Sequence, residues 1–128
     1  MTNSTISSRK LDHIQLAFES QLSDADQRFY YEPMLSAHPE LTIIPSLTLA
    51  GATMQIPLWI SSMTGGTAMA GKINKNLALA CAEFGLGLGL GSCRPLLFSD
   101  DTLSDYAVRP ILGEGVPFYA NLGIAQIE

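Results

Sequence analysis

Three apolar runs recur at nearly equal spacing along this chain. They start at Pro57, Leu86 and Val116, which places them 29 and 30 residues apart. That distance fits a strand, a crossover helix and a second parallel strand. Continuous apolar runs that alternate with helices are typical of parallel sheets covered on both faces. The spacing therefore predicts an α/β fold built on strands within 57–62, 86–90 and 116–120.

Helical patterns separate these runs. The first predicted helix covers 68–84, and Gly85 follows it as a candidate C-cap. Its apolar stripe is predicted to consist of Ile73, Leu77, Ala80 and Phe84. The second predicted helix covers 100–111, with Ser99 as a candidate N-cap.

The chain divides into two segments by charge. Residues 1–40 are polar and contain the sequence Arg9-Lys10-Leu11-Asp12-His13, whereas residues 41–71 carry no charge. The first segment is predicted to be a helix over 11–22 followed by a loop over 23–40. The second segment, 41–128, opens with short strands over 41–44, 46–49 and 54–56. Ala50 and Gly51 are predicted to form the turn of a small hairpin.

Composition excludes several classes of protein. Seven basic residues against 12 acidic ones give a net charge of −5, whereas nucleic-acid binders normally carry a basic excess. The two cysteines do not make a disulfide scaffold, and with the two histidines they match no zinc-site spacing. The uncharged stretch contains several Pro and Gly residues, and the N-terminus lacks a signal-peptide core. We therefore expect a cytoplasmic protein with neither a membrane span nor a nucleic-acid partner.

Each apolar run ends near a small polar residue, namely Ser62, Ser92 or Asn121. In α/β folds, ligands lie at the carboxyl ends of the strands. The turn that starts at Ser62 and continues through Met63, Thr64 and Gly65 is either a ligand cradle or a tight turn that needs positive φ. Asn121 either contacts a ligand or caps a following helix. Leucine and glycine alternate over 85–91, which favours close packing over ligand approach.

Two cationic groups are candidate anion sites. Arg94 follows the second run and suits phosphate or carboxylate recognition, or it forms an ion pair with Asp100 or Asp101. Arg9 and Lys10, with His13 one helical turn further on, either bind an anion or remain a solvated basic pair. The residues alone leave these alternatives open.

Four motifs together resemble type 2 isopentenyl-diphosphate isomerase, the FMN-dependent family that interconverts isopentenyl and dimethylallyl diphosphate. In order, they are Arg9-Lys10-Leu11-Asp12-His13-Ile14, Ser61-Ser62-Met63-Thr64-Gly65-Gly66-Thr67, Gly91-Ser92-Cys93-Arg94 and Ala120-Asn121-Leu122-Gly123. The resemblance spans nearly the whole chain from Arg9 onward. It implies a (β/α)8 TIM barrel, preceded here by the N-terminal helix and the hairpin.

The resemblance also implies roles for individual residues. The substrate diphosphate would be bound by Arg9, Lys10, His13, Ser92 and Arg94. FMN would be contacted by Ser62, Met63, Thr64, Gly65, Ser92 and Asn121. NADPH would keep the flavin reduced and Mg²⁺ would be required, but no catalytic side chain or metal ligand is implied within this chain. The flavin itself would act as the acid and base, so the protein positions the substrate and complements its charge.

A barrel of this kind needs about 250 residues. We therefore expect this chain to be the N-terminal part of a longer one, which would form a homo-oligomer. The family's Gln-Glu pair, whose glutamate binds Mg²⁺, would lie beyond Glu128. The 128 residues alone are expected to be inactive and prone to aggregation. Two alternatives are an FMN-dependent oxidoreductase on a similar barrel and a non-catalytic half-barrel.

Overall fold

The computed structural model describes residues 3–20, 34 and 44–127. Helix α1 spans Asn3–Glu19, so it begins well before the predicted start at residue 11. The sequence contains neither Pro nor Gly between residues 3 and 19, and nothing in it interrupts the helix. The predicted end at residue 22, the loop over 23–40 (Met34 apart) and most of the strand over 41–44 lie outside the described residues.

A two-residue turn closes the predicted hairpin. Strand β1, Leu47–Leu49, pairs antiparallel with strand β2, Ala52–Met54. Ala50 and Gly51 both adopt positive φ, 48° and 82°, as the favoured tight hairpin turn requires. The predicted second strand over 54–56 is therefore displaced, because pairing starts directly after this short turn.

The three apolar runs form one parallel sheet, as predicted. Its strands are β3, Trp59–Ile60, β4, Gly87–Ser92, and β5, Phe118–Asn121, in the order β3-β4-β5. Ser92 and Asn121 are the last residues of their strands and are paired in register. Strand β3 is shorter than predicted, so Ser62 lies just beyond its end. The carboxyl ends of the strands therefore bring the predicted polar residues to one edge.

Helix α2 has the predicted bounds, Ala68–Phe84, because local caps define both ends. The Thr67 hydroxyl accepts a hydrogen bond from the Ala70 amide at 3.1 Å, and Gly85 adopts φ 64° after the last turn. The predicted apolar stripe is confirmed only in part: Ile73, Leu77 and Ala80 are partly buried and Leu77 packs against the core, but Phe84 is 51% exposed. The fully buried residues of this helix are instead Ala70, Gly71, Asn74, Ala78 and Cys81. Their small size lets α2 lie close to the elements that it covers.

Glycine and leucine alternate over 85–91, before and within β4, and the two residue types face different surroundings. Leu86, Leu88 and Leu90 are buried in the core with Ala78 and Cys81 of α2. The intervening glycines face the segment 59–64: a Cβ at Gly87 would overlap the Trp59 ring, and one at Gly91 would lie 2.5 Å from the Thr64 carbonyl oxygen. Close packing, the favoured prediction, explains these glycines. Within the described residues, α2 covers the leucine side of β4, and the predicted helical cover of the opposite face stays a prediction.

The predicted helix over 100–111 is broken in two. Helix α3 spans Leu103–Tyr106 and helix α4 spans Arg109–Leu112, after a 3₁₀ turn at Arg94–Leu97. Pro110 has no N–H group to donate to the Tyr106 carbonyl, so a continuous helix would lose a hydrogen bond there. Ser99 is not the N-cap; its hydroxyl accepts from the Asp101 amide at 3.0 Å in a turn. The break leaves Tyr106 and Val108 in the core.

No helix within the described residues is both long and apolar enough to cross a membrane.

Candidate functional site

A cavity of about 340 Å³ lies where α1 meets the carboxyl edge of the parallel sheet. Eight of the ten predicted site residues line it, together with Pro95; these eight are Arg9, Lys10, His13, Ser62, Met63, Ser92, Arg94 and Asn121. They come from α1, from the β3–α2 connection and from the ends of β4 and β5. The volume falls near the lower end of the range of roughly 300–1,000 Å³ for small-molecule sites.

The cavity is basic although the chain as a whole is acidic. Arg9, Lys10 and Arg94 place three basic side chains around it, and His13 adds an imidazole ring. None of the described lining residues is acidic. Guanidinium groups offer paired N–H donors that match phosphate oxygens, and ammonium groups act as point charges. The site therefore favours an anion that carries more than one negative charge.

Lys10 is held against the cavity wall by two acceptors. Its Nζ donates to the Ser92 carbonyl oxygen at 3.1 Å and to the Tyr106 hydroxyl at 3.0 Å. Burial lowers the pKa of Lys10 from its ordinary value, while nearby Cys93 and Asp105 act in the opposite direction. An ammonium group has three N–H donors. With two of them used inside the protein, one remains for a ligand.

The ends of β4 and β5 are tied to each other through the backbone. The Cys93 amide donates to the Asn121 carbonyl oxygen at 2.8 Å, which extends the ladder past Ser92. The Ser92 hydroxyl accepts from the Arg94 amide at 3.4 Å. These contacts set the position from which the Arg94 side chain reaches the cavity. Arg94 belongs to the cavity lining, which favours the anion-binding alternative over the ion pair.

Two predicted residues, Thr64 and Gly65, do not line this cavity. The Thr64 hydroxyl donates to the Asn74 side-chain oxygen at 2.6 Å, and its carbonyl accepts from the Gly91 amide at 2.9 Å. Gly65 is buried against the Tyr106 ring, which occupies the space that a side chain would need. Thr64 instead lines a neighbouring apolar cavity of about 240 Å³, and Met63 borders both cavities.

The sequence prediction missed two residues that hold the site in place. Asn74 is 1% exposed and links Thr64 to the Asp105 carbonyl oxygen, to which its amide donates at 3.0 Å. Tyr106 is 5% exposed and contacts Lys10. A signal for Asn74 does exist in the sequence, because a polar residue on an otherwise apolar helix face needs a hydrogen-bond partner. No comparable signal exists for Tyr106, because its partner is 96 residues away along the chain.

The residues described contain no group of three or more His, Cys, Asp or Glu side chains that could hold a metal ion. The two cysteines, Cys81 and Cys93, are buried and unlinked.

Fold and site together define a parallel α/β sheet with a cavity at its carboxyl edge that is lined by three basic side chains. The chain matches no known family model. It is similar to curated proteins named isopentenyl-diphosphate delta-isomerase: it is 38% identical over 126 residues to that of Rickettsia felis and 39% identical over 127 residues to that of Rickettsia rickettsii. The protein of that name from Rickettsia typhi is 37% identical over 129 residues. Each match covers 94% of this chain, and the chain spans 36% of the length of each relative.

Proposed function

We propose that this chain forms the diphosphate-binding part of a type 2 isopentenyl-diphosphate isomerase. The observation that carries the proposal is the convergence of Arg9 and Lys10 from α1 with Arg94 from the end of β4 in one cavity. Arg94 lies far from Arg9 and Lys10 in the sequence, and the packing of α1 against the end of β4 brings the three cations together. The names of the relatives, which describe an isomerase of a diphosphate ester, supply the substrate class.

The charge arrangement suits a diphosphate ester with an apolar tail. Three cations neutralise the diphosphate, and charge-assisted hydrogen bonds of this kind are about twice as strong as neutral ones. The apolar cavity beside the site, to which Ile14, Phe18 and Ile60 contribute, offers a hydrophobic surface next to Met63. The charged group anchors the substrate, and the anchor holds its hydrocarbon part in one orientation.

FMN fits the polar residues at the strand ends. Ser62, Ser92 and Asn121 offer hydroxyl and amide groups that match the alternating donors and acceptors along the edge of a flavin ring. The 57% exposed Met63 side chain offers a polarizable apolar surface for such a ring. Thr64 and Gly65 would support this surface through the backbone. Binding of FMN to an Asn121→Ala variant, measured by the quenching of FMN fluorescence, tests this fit independently of turnover.

The reaction moves a proton from one end of a three-carbon unit to the other, with no net oxidation. When bound, reduced FMN would supply the acid and base for this transfer. The residues of this chain bind the diphosphate and orient the hydrocarbon. NADPH would keep the flavin reduced, and Mg²⁺ would share the diphosphate charge. We also propose a TIM-barrel architecture and a homo-oligomer for the whole protein.

Turnover by the native protein tests the proposal. With FMN, NADPH and Mg²⁺, isopentenyl diphosphate should be converted to dimethylallyl diphosphate without stoichiometric consumption of NADPH. Arg94→Ala should raise KM about 10- to 100-fold, because hydrogen bonds to charged groups contribute about 1.5–3 kcal/mol. Lys75→Ala, which removes an exposed cation from α2, is the matched control and should leave KM unchanged.

Two results would contradict the proposal. An unchanged KM in Arg94→Ala would show that the diphosphate does not bind in this cavity. Consumption of one NADPH per product would instead favour the alternative, an FMN-dependent oxidoreductase.

A further inference from the structure

Tyr106 lies behind the cavity wall and contacts Lys10, which lines the cavity. Its side chain is 5% exposed and is not part of the cavity lining. The hydroxyl accepts from Lys10 Nζ at 3.0 Å, and the ring centroid lies 5.7 Å from the same ammonium. Tyr106 follows the sheet edge in sequence and lies in α3, whose early end at the Pro110 break places the ring in the core.

The direction of the hydrogen bonds makes this contact specific. The Tyr106 hydroxyl donates to the Ser92 carbonyl oxygen at 3.0 Å, so its single proton is already committed. Its oxygen lone pairs are therefore left to accept from Lys10. The same Ser92 carbonyl oxygen accepts from Lys10 Nζ at 3.1 Å, so Lys10, Tyr106 and Ser92 are all hydrogen-bonded to one another. Both acceptors belong to the protein, so one ammonium N–H remains for a group bound in the cavity that Lys10 lines.

Two glycines make room for this network. A Cβ at Gly66 would lie 2.9 Å from the Tyr106 hydroxyl and 3.0 Å from Lys10 Nζ, and Gly66 also needs its φ of +73°. A Cβ at Gly65 would overlap the Tyr106 ring. The Gly-Gly pair thus serves the placement of Lys10 and Tyr106 as well as the turn itself.

We infer that Tyr106 is a positioning residue, which holds the Lys10 ammonium in the orientation that binds the diphosphate group. This inference rests on the proposed function, and it adds to it a residue that does not touch the ligand. Tyr106 acts only through Lys10, so its contribution to binding should disappear when the ammonium is removed.

A double-mutant cycle on the native protein tests this dependence. The probe is inorganic pyrophosphate, and its Kd is measured by titration calorimetry for wild type, Tyr106→Phe, Lys10→Met and the double variant. Tyr106→Phe keeps the buried ring, and the Ser92 carbonyl retains Lys10 as a donor, so no buried group loses its only partner. Tyr119→Phe, which removes the hydroxyl of a 41% exposed tyrosine on β5, is the matched control.

We expect Tyr106→Phe to weaken pyrophosphate binding about 3- to 10-fold, less than the loss of a direct contact with the ligand, because the Ser92 carbonyl oxygen still holds Lys10. In the Lys10→Met background the same change should have no further effect, and Tyr119→Phe should bind as wild type does. The inference is overturned if Tyr106→Phe binds like wild type, or if it weakens binding by the same factor in both backgrounds. An unchanged Kd in Lys10→Met would instead overturn the diphosphate site itself, so the two failures are distinguishable.

Discussion

Replacing Asn74 with alanine should be among the most damaging single changes in helix α2. The side chain is 1% exposed and holds two partners, the Thr64 hydroxyl at 2.6 Å and the Asp105 carbonyl oxygen at 3.0 Å. Each hydrogen bond contributes about 1 kcal/mol net, and a buried group left without a partner costs about 1–3 kcal/mol. Since Thr64 is half-buried, water can compensate part of this loss. We expect Asn74→Ala to lower the free energy of unfolding by about 2–4 kcal/mol.

Urea denaturation of the native protein measures this change directly. Asn76→Ala is the matched control, because Asn76 is exposed on the same helix and its loss should change stability by less than about 0.5 kcal/mol. Asn74→Asp should be at least as damaging as alanine, because it presents a carboxylate oxygen to the Asp105 carbonyl. If Asn74→Ala unfolds at the same urea concentration as Asn76→Ala, the network does not contribute to stability and the reasoning fails.

Three further changes have defined outcomes. Thr67→Ala removes the N-cap of α2 and should destabilise the protein by about 1 kcal/mol in urea denaturation, whereas Thr67→Ser should restore most of the loss. Ala50→Asn suits the positive φ of that turn position better and should raise the urea midpoint; a lower midpoint would contradict the turn geometry. Burial raises the pKa of Tyr106 above its ordinary 10.0, so the folded state favours the neutral phenol. Stability should therefore fall as pH rises above 10.0, and it should fall less in Tyr106→Phe; equal losses would refute this.

The hydrophobic residues at the end of the described chain bear on the behaviour of the 128-residue chain by itself. Ile124 and Ile127 are 77% and 72% exposed, and Tyr119 of β5 is 41% exposed. Exposed apolar surface beside an open strand is prone to association. The expected aggregation of the isolated chain stays a prediction. Light scattering of the purified 128-residue chain measures whether it associates.

Local sequence was enough to predict the features that depend on neighbouring residues. Helix α2 has its predicted bounds because Thr67 and Gly85 cap it from positions adjacent to its ends. The hairpin turn at Ala50 and Gly51 could also be predicted, because a tight turn depends on its own residues. The parallel direction of the strands also followed from sequence, since runs separated by one crossover helix are typical of parallel strands.

The convergence of the site residues required both sources. Sequence motifs pointed to the ten candidates, and the sheet edge explains why Ser92 and Asn121 are adjacent. The placement of Lys10 against Ser92 is a contact across 82 residues, which no local pattern encodes. Thr64 and Gly65 lie outside this cavity and support its wall, and their predicted contacts with FMN stay predictions.

Tertiary structure alone decided the rest. The buried face of α2 follows Asn74 and Ala78 instead of the larger apolar residues, because close approach to its neighbours selects small side chains. The burial of Tyr106 depends on how α3 and α4 pack against α2, whereas the break before Arg109 already follows from Pro110, a local signal that the sequence prediction missed. Caps, turns and strand spacing are local properties that the sequence determines by itself. The choice of helix face and the partner of each buried polar group depend on contacts between distant residues, which exist only once the chain has folded.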